Sequence, residues 1–352
     1  MRNRRLRLIA PLLSGLLLFG ACSSDDPEPE AAPVVGESSP EASPTPPPKC
    51  PLSGVEAAAA NLALRPAVAV KVENNPVAYP LAGLEQAELV YEELVEGGQT
   101  RFMAIYHCSD STKVGAVRSS RQVDPAIMSP TTQILAAAGG NDIVRDFLTK
   151  AGVFLIDEDS AGAAMERVPR AGVALEHTLF GNTKLLRKLG AKEYSEPPPQ
   201  DQFKFGELTA KSKKARQVAV QFSSAVTVNY EWAQNKWLRS ERGAPFMSES
   251  GEQIGVDNLI IEEHIVNNST TIFDVAGNPS IEIADVTGSG RAVLFRDGRV
   301  IVGRWVRKNE KDRVIYETKD GEELTLKPGT TWVELMPNDK GDLKGMLSFS
   351  KS

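Results

Sequence analysis

Twice in the second half of the chain an Asp-Gly pair stands between β-prone runs, at Asp297-Gly298 and Asp320-Gly321. Both central positions of a type I′ turn need positive φ, which Gly accepts freely and Asp tolerates. Arg291–Val306 and Val314–Leu326 are therefore expected to double back as antiparallel hairpins. Val218–Trp237 holds two more β-prone runs and Asn258–Val266 another. The first half reads differently. Pro66–Val72, Ala87–Val95, Arg101–Cys108, Lys113–Val117, Gln133–Ala138 and Val153–Ile156 read as strands. Between and after them, Asp142–Lys150 has helical spacing with Asn141 as N-cap, and Thr183–Leu189 reads as a helix stopped by Gly190. The expected class is α+β: a mixed α/β domain over residues 50–195, then a mainly antiparallel β domain over 216–340. Pro197–Pro199 lies in the polar stretch between them. All four tryptophans fall in the second half, as sheet packing or as a platform for sugar stacking.

The N-terminus predicts an address. Arg2, Arg4, Arg5 and Arg7 precede a short apolar run, Leu8–Phe19. About 12 residues do not cross a hydrocarbon core of ~30 Å as a helix, so residues 1–21 read as a signal peptide. Gly20-Ala21 before Cys22 resembles the lipobox of bacterial lipoproteins, in which the Cys thiol is acylated and the chain is cut before it. Residues 22–49 then read as an acidic, Pro-rich tether with eight prolines after Cys22 and no aromatic residue. At about 3 Å per residue its reach is roughly 85 Å. The expected location is the outer face of the cytoplasmic membrane, with the bilayer as partner through Cys22.

Cys50 and Cys108 remain for an oxidising compartment, where one disulfide is expected. The alternative is a reactive Cys108 paired with His107, disfavoured because neighbours on an extended strand point to opposite faces.

Charge and motifs exclude more than they identify. The formal net charge is −6, and losing the four signal arginines makes the chain more acidic, so a nucleic-acid footprint is not expected. There is no G-x-S-x-G, Walker A, G-x-G-x-x-G opening a helix, or H-E-x-x-H. The three histidines, His107, His177 and His264, lack ligand spacing, and Asp157-Glu158-Asp159 lacks a Gly-turned loop. No metal or cofactor is expected.

The unusual region is polar and lies between Asn74 and Arg121. In Tyr91–Phe102, glutamates occupy both faces of an apolar run. Burying a carboxylate costs several kcal/mol unless it is paired. Arg101, Arg118 and Arg121 are the candidate partners, and a structural ion-pair network is the plain account. Five ionisable groups, Glu93, Glu96, Arg101, Arg118 and Arg121, are expected to converge at one end of the N-terminal sheet.

These stretches, CPLSG at Cys50–Gly54, RPAVAVKVEN at Arg65–Asn74, YEELVEGGQTRF and KVGAVRSSR, closely resemble the YerB-like bacterial lipoprotein family. The run from Arg291 to Leu335 resembles that family's C-terminal domain. The resemblance covers nearly all of the chain beyond the tether and implies a two-domain extracytoplasmic lipoprotein of unassigned molecular function. The family pattern has Pro-His-Asn where this chain has Glu176-His177-Thr178, so His177 matches and the amide does not.

Three readings compete. A binding module would use Asn74, Glu93, Glu96, Arg101, Arg118, Ser119, Arg121, Gly139, Gly140 and His177. Forked guanidinium hydrogen bonds would hold an anionic or polyhydroxyl envelope ligand, or a partner protein, and the glycines would let backbone approach it. An envelope hydrolase or transglycosylase would use Glu93 or Glu96 as acid/base. The third reading is a purely structural interaction protein.

Overall fold

A computed structural model describes residues 47–350; the signal segment, Cys22 and the tether up to residue 46 lie outside the described residues. The described residues cluster as one compact unit.

In chain order the first segment supplies β1 (Val68–Glu73), β2 (Leu89–Leu94), β3 (Thr100–Tyr106), β4 (Ile134–Ala136), helix α1 (Asp142–Lys150), β5 (Phe154–Ile156) and helix α2 (Thr183–Gly190). Both helices start where the side chains require. Asn141 and Asn182 accept the backbone N–H groups of Ile143 and Leu185, meeting donors that a helix start leaves free. The second segment supplies β6 (Gln217–Gln221), β7 (Thr227–Ala233), β8 (Lys236–Glu241), β9 (Asn258–His264), β10 (Val266–Phe273), β11 (Pro279–Ile283), β12 (Gly288–Arg296), β13 (Arg299–Arg307), β14 (Ile315–Glu317), β15 (Thr331–Pro337) and β16 (Met346–Ser350).

The Asp297-Gly298 hairpin closes as the dipeptide predicts. Arg296 pairs with Arg299, and both central residues have positive φ, 52° and 65°. At Asp320-Gly321 only Gly321 does, and the turn is wider, with Glu317 bridged to Glu323. A further tight turn, missed from sequence, joins β7 to β8 at Gln234-Asn235, φ 53° and 59°.

The main sheet runs through both segments in the order β14-β13-β12-β9-β15-β2-β3-β1-β4-β5, with Lys213–Lys214 added beside β13. Its centre is the parallel pair β2–β15, Leu89 opposite Thr331 through Glu93 opposite Leu335. Two units read from sequence as successive therefore share one hydrogen-bonded sheet. Strands dominate and helices are confined to the first segment of the described residues.

Each face of this sheet is covered, and β1 shows how. Val68, Val70 and Val72 point toward α2, with Leu186, and the same core continues along the sheet to Val218, Val228, Tyr230 and Trp237 of a second, antiparallel sheet built around β8-β7-β6-β16. Ala67 and Ala69 point the other way, with Val144 and Leu148 of α1. Strand alternation sets this division. Trp237, Trp305 and Trp332 are buried in these layers, so they pack the core and offer no exposed platform.

Cys50 and Cys108 are bridged, with Cα atoms 6.0 Å apart. The expected separation of Cys108 from His107 does not hold. Both lie past the end of β3, where strand alternation no longer applies, and His107 Nδ1 is 3.6 Å from Cys108 Sγ. His107 Nε2 contacts the carbonyl of Arg65 at 2.9 Å, and burial lowers its pKa to about 4.

Candidate functional site

The site grows from a break in alternation on β1. On the face away from the second sheet, an otherwise apolar strand carries Lys71 and Glu73, both buried. Register places Glu73 and Glu93 on either side of Arg101, so one row of charge crosses β1, β3 and β2. Deeper along the same face, Lys71 Nζ binds Glu93 and lies 2.6 Å from Asp124 Oδ1. One cation between two carboxylates in a dry site leaves one carboxylate favouring its proton. Burial accordingly raises the Glu93 pKa to about 7, Lys71 opposing it and Asp124 adding to it.

Above this row opens a cleft of about 700 Å³. Its floor is the end of β1 and the start of β3. Its sides are the loop Arg118–Arg121, Gly140-Asn141 at the start of α1, and the turn between β10 and β11. The Arg118–Arg121 loop is fixed through its backbone: Ser120 N–H donates to Gly139 O at 2.9 Å, and Arg121 N–H to Asp124 Oδ2 at 2.7 Å.

Three guanidinium groups line the cleft and differ in how far the protein satisfies them. Arg121 is paired: it binds Glu96 and donates to Ser120 O at 2.8 Å. Burial opposes ionisation of Glu96, but Arg121 prevails and holds the Glu96 pKa below its ordinary value. Arg118 donates through Nη1 to Glu176 O at 3.0 Å, while its buried Nε, 3.8 Å from Glu73, has no hydrogen-bond partner. Arg101 donates to Ser119 O at 3.0 Å, and no carboxylate among the described residues lies within ion-pair distance of it. Burial, then the like charge of Arg121, pushes the Arg101 pKa down to about 9. That is the signature of a cation short of an anion.

Glu73 was not singled out from sequence. Its carboxylate meets His177 Nδ1 at 2.8 and 3.0 Å, and burial raises its pKa against Arg118 and His177. The signal was available: Lys71 and Glu73, two apart, put charge on one face of an apolar strand.

The other candidates divide. Glu96, Arg101, Arg118, Ser119, Arg121 and Gly140 line the cleft. His177 reaches it only through Glu73. Glu93 does not line it, because its strand direction places it on Lys71 beneath the floor. Asn74 borders the cleft with its amide already committed: Nδ2 faces Glu92, Thr100 and Glu241, and Oδ1 accepts from Tyr79. These contacts belong to a second buried network on the opposite face, centred on Arg239 with Glu92, Glu241 and Glu334. Gly139 serves as a backbone acceptor for Ser120. Gly140 is small for a protein contact rather than a ligand, since a Cβ there would meet Ser120 Oγ at 2.5 Å.

Residues 52–196 match the N-terminal domain of the DUF3048 family, described as proteins of unknown function, and residues 218–333 match its C-terminal domain. The chain belongs to the DUF3048 family. A Bacillus subtilis (strain 168) relative that bears the name lipoprotein YerB is 28% identical over 299 residues, covering 82% of this chain and 86% of that one. The crystal structure of a YerB protein from Bacillus subtilis matches with a TM-score of 0.70 at 24% identity, over 85% of this chain and 99% of that chain. At that identity the structural likeness speaks to the DUF3048 fold alone. Within this fold the cleft draws on both matched segments, with Ile272, Phe273 and Ser280 from the second facing Arg101 and Arg118 from the first.

Proposed function

We propose that this is a lipid-anchored extracytoplasmic protein whose cleft binds an anionic envelope ligand. The observation that carries the reading is Arg101: a largely buried guanidinium facing a cleft, with one backbone acceptor and no carboxylate partner. Arg118 lines the same cleft, and no acceptor among the described residues engages its Nη2. Charge-assisted bonds to a ligand carboxylate or phosphate would satisfy both. The anchor rests on Gly20-Ala21-Cys22 and on the name of the Bacillus subtilis relative. Two measurements test the reading. Citrate and inorganic phosphate should raise the Tm of the wild-type body but not of Arg101→Met. Failure of both anions to shift the wild type would sink the cleft assignment. Cys22→Ala should leave the membrane fraction; a processed Cys22→Ala protein that still partitions with membranes would remove the anchor.

A second reading, hydrolysis or transglycosylation of the same ligand, would use Glu73 in place of Glu93. Glu93 is out of reach, and Glu96 is held ionised by Arg121. Glu73 and Glu96 both line the cleft with pKa values pushed in opposite directions, the pattern of an acid and a base. Turnover of an envelope glycan that survives Glu73→Gln would eliminate it.

A further inference from the structure

Resting on the anion-binding reading, we infer that the ligand is an extended acidic polysaccharide, bound across the Gly97-Gly98 turn in two adjoining grooves. The first groove is the cleft itself, and its walls are not those of a simple anion pocket. Beside the guanidinium groups stand Asn75, Gln99 and Ser119, each partly exposed, and no protein acceptor among the described residues engages the donor groups of these side chains. Opposite them stands Phe273, a residue 46% exposed, its backbone held by the Asn141 amide on its carbonyl. Amide and hydroxyl groups suit sugar hydroxyls, an exposed aromatic face suits the C–H face of a pyranose, and the guanidinium suits a carboxylate on the ring. Inorganic phosphate or a small carboxylate would use only the last of these.

The second groove lies on the other side of the turn and holds about 520 Å³. Ser224 and Asn268 line it with a hydroxyl and an amide that no protein acceptor among the described residues engages, beside Lys344, whose ammonium donates to Asp339 O, and Asp342; Ser223 and Asn278 are committed to Gly98 O and Asp274. Val95 borders both grooves, and the hairpin β10–β11 contributes Ser280 to one and Pro279 to the other. What separates them is the turn after β2, and its crest carries no side chain. Gly97 and Gly98 have φ of 69° and 70°, and a Cβ on Gly97 would meet nothing within 4 Å. Open space above a bare crest between two polar grooves is what a polymer needs in order to lie across both. The positive φ of both glycines, and the 3.2 Å that a Cβ on Gly98 would leave to Ser223 Oγ, also call for glycine here; Gly97 is the position that opens onto free space.

The test is a length series. Galacturonate and hyaluronate fragments of one to six sugars are titrated calorimetrically into the soluble body, with inorganic phosphate and neutral maltohexaose alongside. Hexamers of an acidic series should bind at least tenfold more tightly than its monomer, and maltohexaose should not bind. Gly97→Asn raises a side chain on the crest, and Asn tolerates positive φ. It should reduce hexamer affinity to that of the monomer, leaving monomer affinity and the Tm unchanged. Phe273→Ala should weaken every acidic sugar while leaving phosphate binding untouched. Phosphate binding that depends on Arg101, with no acidic sugar bound, would overturn the polysaccharide and keep the anion cleft. Equal affinity for monomer and hexamer, or a hexamer indifferent to Gly97→Asn, would overturn the two-groove path. Binding of neither phosphate nor any acidic sugar would overturn both readings together.

Discussion

At the scale of single residues, the three cleft arginines are expected to part company under mutation. Arg121→Ala strips Glu96 of its partner in a nearly enclosed site and should destabilise the fold by roughly 3 kcal/mol. Arg101→Met leaves no carboxylate behind, and Ser119 O keeps its contact with Arg121, so its cost should be about 1 kcal/mol or less. Urea melts of the two variants check the contrast; equal large losses would make Arg101 a structural residue. Legibility at this scale followed chemistry rather than position. Charge placed in apolar runs singled out Glu96, Arg101, Arg118 and Arg121, and all four line one cleft. Glu93 went astray because the sequence shows which face a strand residue takes but not how far along that face a partner such as Lys71 will intercept it. Asn74 looked available because its four acceptors and donors come from Tyr79, Glu92, Thr100 and Glu241, the last of them far along the chain.

Elements carry two further expectations. His264, at the end of β9, lies between Glu262 and Asp285 and stacks on Trp305. Burial opposes its charge, but the two carboxylates prevail and raise its pKa to about 9. A histidine raised in the fold adds stability that is full below its unfolded pKa near 6.5 and is lost as pH rises toward 9. The loss should be on the order of 3 kcal/mol, and His264→Gln should flatten the stability profile across that window. A wild-type profile that is flat between pH 6.5 and 9 would contradict the charged state assigned here. Reduction of Cys50–Cys108, which span 58 residues, should cost roughly 2–4 kcal/mol and free the stretch before β1. Denaturation with and without a dithiol measures it. The hairpin and the cap were legible because their signals are local: Asp297-Gly298 and Asn141 each act within four residues of chain. The Gln234-Asn235 turn was not, since Gln at positive φ is held by the strands it joins rather than chosen for the turn.

For the whole molecule, sequence periodicity could not show that β15 enters the sheet beside β2. A strand declares its faces, not its neighbours, and this neighbour comes from the far end of the second segment. The pairing predicts cooperative behaviour. Scanning calorimetry of residues 47–352 should give a single transition, and a fragment ending before β15 should not fold. Two separated transitions would mean that the shared sheet does not couple the segments. The same pairing bears on how the protein is made. The chain is synthesised from its N-terminus, so β2 is made long before Thr331–Pro337 exists to cover its edge. Until then β1, β2 and β3 form a half-built sheet with an open, apolar border, vulnerable to proteases and to its own unfinished copies. A premature stop anywhere upstream of Thr331 leaves that border open for good, which makes the closing strand a check that synthesis has run to completion.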